Sequence, residues 1–238
     1  MVITSAKHPL ILHASMLRAD SAYRKKIGRV ILFGDKLIHE LKLPIERLFY
    51  TKEIPDLRAK EYISIPDALL CKMSGLPAPE TLAAEIVMPE QGDLHGCRWI
   101  VALDGISDPG NVGSLFRSAH ALGWDGVWIL PSSCDPYNDK ALRAAKGATF
   151  HIPWRRGEIE DFIRFTEVLP FSVVIADKEG ASPSPISSPC ILILGSEAMG
   201  VSPLLKARYP AISIPMVESS ESLNVAAAGA ILLYILRS

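Results

Sequence analysis

The chain has 238 residues, 49% hydrophobic and 21% charged, with a formal net charge of −1. That length allows one large domain or two small ones with a full core, and the near-neutral balance speaks against a uniformly basic nucleic-acid binder. Cys71, Cys97, Cys134 and Cys190 stand far apart with no CxxC pair, which argues against a zinc knuckle or disulfide framework and fits a reducing cytosol. The first ten residues, MVITSAKHPL, lack the apolar run of a signal peptide. The charge is uneven along the chain. Residues 1–60 hold 12 Lys and Arg against 6 Asp and Glu, and the remainder holds 13 against 20. The front of the chain is therefore suited either to holding phosphate or to presenting a solvated basic face.

Residues 3–29 read as a helix-rich opening, with Leu10, Ala14, Leu17 and Tyr23 as a loose apolar stripe. Arg24, Lys25, Lys26 and Arg29 cluster at its end. Arg29–Phe33 is a strand, Asp35–Leu43 a short helix stopped by Pro44, and Ile45–Thr51 a second strand. Ile65–Met73 reads as a strand end plus helix, and Thr81–Met88 as a final strand. These elements make a small α/β domain over residues 1–88. Residues 89–97, with Pro89, Gly92 and Gly96, make a linker.

From residue 98 to 238 strands and helices alternate: strand Trp99–Leu103, helix Val112–Leu122, strand Gly126–Leu130, helix Lys140–Lys146, helix Glu158–Val168, strand Phe171–Ala176. The alternation predicts a mostly parallel sheet covered by helices on both faces. Two further apolar runs, Cys190–Leu194 and Ala211–Met216, read as buried strands that run straight into polar loops, where α/β sheets bind ligands. The final helix, Leu223–Leu236, has only about a dozen apolar residues after Asn224, short of the ~20 that a membrane span needs.

Three stretches carry the chemistry. In LDGISDPGNVGSLFRSAHALG (Leu103–Gly123), Pro109 and Gly110 turn the chain, Asn111 stands at a helix N-cap position, and Arg117 follows on roughly the same face. Read alone, this is a capped helix whose Arg117 pairs with an acid. The glycines match neither GxGxxG nor GxxxxGKS. In GSEAMG, Gly195 and Gly200 bound a loop that carries Glu197. In IPMVESSESLNV, Ile214 and Met216 end a strand, and Ser222 is placed to cap the last helix. No HExxH or GxSxG spacing occurs.

These three motifs, in this order, resemble those of the SpoU (TrmH-like) RNA 2′-O-ribose methyltransferases of the SPOUT class. ITSAKHPLI, the Arg24–Gly34 stretch and DALLCKMSGLPAPETLAAEI resemble the substrate-binding domain of the rRNA-directed branch, so the likeness covers nearly the whole chain. The resemblance implies a C-terminal trefoil knot, an S-adenosylmethionine cofactor, no metal, an RNA substrate (rRNA, with tRNA as the alternative), a cytoplasmic location, and a homodimer packed through the C-terminal domain. It implies a catalytic set of Arg117, Asn111, Glu197, Ser222 and Asn224. It implies that Leu194, Gly195, Gly200, Ile214, Met216 and Leu223 hold the cofactor. It implies RNA contacts from Arg24, Lys25, Lys26, Arg29, Arg143 and Lys146. Family members usually carry Gly where Ala198 and Glu218 stand, so a relative that binds RNA without catalysis is the competing reading. A dinucleotide-dependent oxidoreductase is disfavoured by the missing GxGxxG.

Overall fold

The computed structural model describes residues 1–78, 80–168, 170–187, 189–217 and 222–238. Glu218, one of the two departures from the family pattern, lies outside the described residues. The chain divides into two compact units. The first comprises Met1–Glu90 and Tyr137–Arg143, and the second Gln91–Pro136 and Ala144–Ser238. The sequence reading assigned Tyr137–Arg143 to the later part of the chain.

In the first unit, helices α1 (Pro9–Ala19) and α2 (Ser21–Ile27) precede strand β1 (Arg29–Phe33). Helix α3 (Asp35–His39), strands β2 (Ile45–Tyr50) and β3 (Ala59–Ser64), helix α4 (Asp67–Ser74) and strand β4 (Leu82–Val87) follow. The opening splits into two helices at Asp20, whose carboxylate accepts from the N–H groups of Ala22 and Tyr23 and starts α2. The buried stripe on α1 is Ile11, Ala14 and Leu17. Ile11 and Leu17 join Phe49, Ile63, Leu70 and Met73 in one core. The sheet order is β1-β4-β2-β3, with β4 antiparallel to both neighbours and β2 parallel to β3. Strand β3 escaped the sequence reading because Lys60 and Glu61 break its apolar run at the sheet edge.

The second unit is built on strands β5 (Trp99–Asp104), β6 (Gly126–Ile129), β7 (Trp154–Arg156), β8 (Ser172–Ala181), β9 (Cys190–Gly195) and β10 (Ala211–Ile212). Its helices are α5 (Pro109–Ala121), α7 (Ile159–Val168), α8 (Pro203–Lys206) and α9 (Val225–Arg237), with α6 (Asp139–Ala145) bridging the division. All six strands are parallel, in the order β10-β8-β9-β5-β6-β7. The strands β5 and β9 are near-continuous apolar runs, as sheets covered on both faces require. Trp128, Phe162, Phe165, Ile191 and Ile193 form the core on one side.

Helix α9 can approach closely because Gly229 has no side chain. A Cβ there would lie 2.4 Å from Leu115 Cδ2 and 2.8 Å from Leu194 Cδ1. The Trp124 indole N–H donates to Leu233 O at 3.0 Å and fixes the far end of the same helix. Among the described residues no helix is long and apolar enough to cross a membrane.

Three sequence expectations change. Asn111 is not the N-cap of α5. Asp108 is, accepting from the Asn111 N–H at 3.0 Å, because Pro109 takes the first helical position. Ser222 does not cap α9. The Asn224 carboxamide does, accepting from Ala226 and Ala227 N–H. The run Ala211–Met216 is strand only at Ala211–Ile212. Pro215 has no N–H for a sheet ladder, Met216 is 38% exposed, and the chain beyond Ile212 lines a cleft instead.

Candidate functional site

The parallel strands β5 and β9 end side by side while β8 runs on past them, and the loops that leave β5 and β9 build one site there. Asp104 ends β5 opposite Gly195, the last residue of β9. Its buried carboxylate accepts from the Ser202 N–H at 2.7 Å and so anchors the far side of the loop that leaves β9. That loop is closed on itself. Ser196 and Gly200 exchange both backbone hydrogen bonds, at 3.1 and 2.8 Å. A Cβ on Gly195 would fall 2.1 Å from Gly200 C, so only glycine allows this closure.

The loop after β5 is fixed from the neighbouring connection. The Ser133 hydroxyl donates to Leu103 O at 2.8 Å and accepts from the Ile106 N–H at 3.0 Å. Gly105 meets this turn with φ +69°. With Asp108 serving as the helix cap, the Asn111 side chain is released for other contacts. Its Nδ2 donates to Glu197 Oε1 at 3.1 Å, and Asn224 Nδ2 donates to Asn111 Oδ1 at 3.0 Å and to Glu197 Oε1 at 2.8 Å. The Val225 N–H reaches the same Glu197 oxygen at 3.3 Å. Asn111, Glu197 and Asn224 come from three separate motifs and close a triangle.

Arg117 stands about 9 Å further along α5, from six residues at 1.5 Å rise. It is exposed, and no hydrogen bond or ion pair holds it among the described residues. The alternative in which it pairs with a nearby acid therefore finds no partner there. Ser222 is exposed and lines the cleft rather than joining the triangle.

Beside the triangle opens a cleft of about 770 Å³, solvent at its mouth included. Leu194, Gly195, Gly200, Ile214, Met216 and Leu223, the six residues expected around a cofactor, all line it. So do Glu197 and Ser222. Sequence reasoning missed the wall made by Ala176, Asp177 and Lys178 in the middle of β8. The sequence signal was weak, because the apolar run SVVIA gives way to DKEG within one continuous strand. Lys206 Nζ pairs with Asp177 at 2.6 Å, and this hydrogen bond holds the Asp177 carboxyl below its ordinary range.

The basic residues divide. Lys25 and Lys26 are exposed on α2. Arg24 is a correction: it is 2% exposed, and its guanidinium donates to Leu17 O at 2.8 Å and Arg18 O at 3.1 Å. It ties α2 to α1 and is not presented to a phosphate. Arg29 pairs with Glu46 at 2.9 Å, and Arg143 with Asp139 one helical turn away. Lys146 is exposed with φ 48° at the end of α6. Burial raises the Cys190 thiol to about 12 and the Cys97 thiol to about 11, so neither is a thiolate nucleophile at neutral pH. Among the described residues no group of His, Cys, Asp and Glu gathers that could hold a metal.

The chemistry of the cleft fits S-adenosylmethionine. Leu194, Ile214 and Leu223 offer apolar faces for a purine ring, and Glu197 supplies anionic charge for a sulfonium cation.

Comparison with known proteins gives the same direction. The model of the SpoU rRNA Methylase family matches residues 98–234. The 23S rRNA (guanosine(2553)-2'-O)-methyltransferase RlmP of Bacillus subtilis is 36% identical, over 99% of this chain and 98% of its own. The 23S rRNA (uridine(2479)-2'-O)-methyltransferase of Streptomyces viridochromogenes is 30% identical, over 89% of this chain and 83% of its own. The crystal structure of an AdoMet-bound rRNA methyltransferase from Sinorhizobium meliloti superimposes with a TM-score of 0.88 at 25% identity, covering 98% of this chain and 96% of that one.

Proposed function

The chain belongs to the SpoU rRNA methylase family, and from that premise we propose that it methylates the ribose 2′-hydroxyl of an rRNA nucleotide with S-adenosylmethionine. The observation that carries the reading is the triangle Asn111–Glu197–Asn224, which joins the three motifs at the edge of the cofactor-sized cleft. S-adenosylmethionine supplies an electrophilic methyl group on a sulfonium, which leaves as a neutral thioether when the ribose oxygen takes the methyl.

The protein's own part is positioning and electrostatics. Among the described residues Glu197 is held by two carboxamides and one backbone N–H, all neutral donors, so its negative charge is oriented but not cancelled there. It faces the side where a sulfonium is to be held. Arg117 offers a guanidinium, unpaired among the described residues, to the ribose and its phosphate. It keeps its proton and stabilises the oxygen as negative charge gathers there; the hydroxyl proton passes to solvent. Ser222 adds a hydroxyl to the cleft wall. Lys25, Lys26 and Lys146 supply phosphate contacts that position the RNA. The early part of the chain, residues 1–88, acts as the substrate-binding domain. The test is ribose-methylation mapping of total RNA with and without the gene. One 2′-O-methyl site in rRNA is expected to vanish with the gene, and an unchanged rRNA map refutes the assignment.

The same proposal includes a cytoplasmic homodimer packed through the C-terminal domain. Its support is helix α9, which leaves Ile231 39% and Tyr234 64% exposed one turn apart. Sedimentation at micromolar concentration is expected to show a dimer, and a monomer alone removes this part of the reading. It also includes the trefoil knot, supported by β9 lying between β8 and β5. A crystal structure tracing residues 213–225 decides it.

A further inference from the structure

The cleft carries two carboxylates, and their surroundings give them different work. Among the described residues Glu197 meets only neutral donors, and no cation there is paired with it. Asp177 is already neutralised by Lys206 at 2.6 Å, and its other oxygen accepts from the Glu179 N–H at 3.2 Å. A carboxylate has about four lone-pair sites, so Asp177 retains room for two more donors. Its side chain is 15% exposed and bordered by Ala176 and Ile212.

Position adds to this. Strand β8 stands two places from β5 in the sheet, about 10 Å away at ~4.8 Å per strand. Asn111 and Arg117, which serve the RNA ribose, follow β5. The methyl end of the cofactor has to lie on that side, which leaves β8 to face one of the two arms of the sulfonium, and the apolar neighbours Ala176 and Ile212 suit the nucleoside arm better than the zwitterionic amino-acid arm.

We propose that Asp177 accepts the 2′- and 3′-hydroxyls of the cofactor's adenosine, and that Lys206 is the positioning residue that holds this carboxylate. The inference rests on the methyltransferase reading. A paired, neutralised carboxylate suits hydroxyl donors, whereas the uncancelled Glu197 suits the sulfonium. Lys206 reaches Asp177 past the loop of Gly195–Gly200: a Cβ on Gly200 would lie 3.4 Å from Lys206 Nζ. The pair thus fastens α8 to the middle of β8 beside the cleft. The depressed pKa of Asp177 keeps it an acceptor across the neutral range.

The experiment is calorimetric titration with S-adenosylhomocysteine and with its 2′,3′-dideoxy analogue. The wild type is expected to bind the analogue about 10- to 100-fold more weakly, the range for hydrogen bonds to a charged group. Asp177→Asn and Asp177→Ala should lose most of that discrimination: S-adenosylhomocysteine weakens toward the analogue while the analogue hardly changes. Lys206→Met should reduce the discrimination without touching the ligand. Equal loss of both ligands in the Asp177 variants makes the residue purely structural and overturns the inference. So does a wild type indifferent to the diol. A wild type that binds no S-adenosylhomocysteine overturns the methyltransferase reading, and this inference with it.

Discussion

Arg117→Ala is expected to lower single-turnover methylation by about 10²–10³-fold, the usual cost of removing one preorganised electrostatic group, with S-adenosylhomocysteine affinity unchanged. The argument is positional. Arg117 lies on α5, whereas the cleft is lined from the middle of β8, the ends of β9 and β10, and α9, and Arg117 is not among its described lining residues. It is exposed and unpaired among the described residues, so deleting it breaks no ion pair there. The loss should therefore fall on the rate and on RNA placement. Arg117→Lys should rescue poorly, since lysine keeps the charge but loses the planar fork that grips a phosphate and a neighbouring oxygen together. Cofactor affinity and single-turnover rate have to be measured on the same preparations. Near-normal turnover in the alanine variant, or a rate lost only because cofactor binding collapses, removes Arg117 from the chemistry.

How much of this was legible beforehand depends on whether one residue decided the matter or several competed for it. The strands β5, β6 and β9 were plain in the sequence because burial on both faces leaves uninterrupted apolar runs. The six cleft residues were legible through motif resemblance, not through periodicity. What failed was local competition. Asp108 and Asn111 both suit an N-cap, and Pro109 settled it for Asp108. That shift is what frees the Asn111 carboxamide for Glu197. Ser222 and Asn224 competed in the same way at α9. Arg24 sits in a run of four basic residues at positions 24–29, and composition could not show that it alone turns inward onto the carbonyls of α1. Asp177 was missed because no motif names it. Its role follows from the pairing with Lys206, 29 positions away in the chain, which only the fold creates.

Arg47→Met should destabilise the first unit by about 3–5 kcal/mol, the cost of breaking a buried ion pair and stranding its partner. Glu85 lies on the central strand β4 with its side chain 1% exposed. Arg47 Nη1 donates to both of its oxygens, at 3.1 and 3.0 Å, and Arg47 Nε reaches Glu61 on β3 at 3.2 Å. The three charges form a ladder across three neighbouring strands. Burial works against the Arg47 charge, but attraction and hydrogen bonding from Glu85, then Glu61, outweigh it and raise its pKa. His13 Nε2, 3.3 Å from Glu85, is the remaining neighbour and replaces neither hydrogen bond fully. The single variant therefore leaves a carboxylate in the interior. The double variant Arg47→Met, Glu85→Leu removes that stranded charge and should recover most of the loss, as apolar replacements of whole buried pairs do. Native-state hydrogen exchange on the amides of β2 and β4 reads the change directly. RNA affinity should fall with it, because Lys25 and Lys26 are carried by the same unit, while S-adenosylhomocysteine affinity should hold, because the cleft belongs to the other. Wild-type protection of β4 in the single variant shows the ladder to be superficial. Loss of cofactor affinity alongside RNA affinity contradicts the division of labour between the two units.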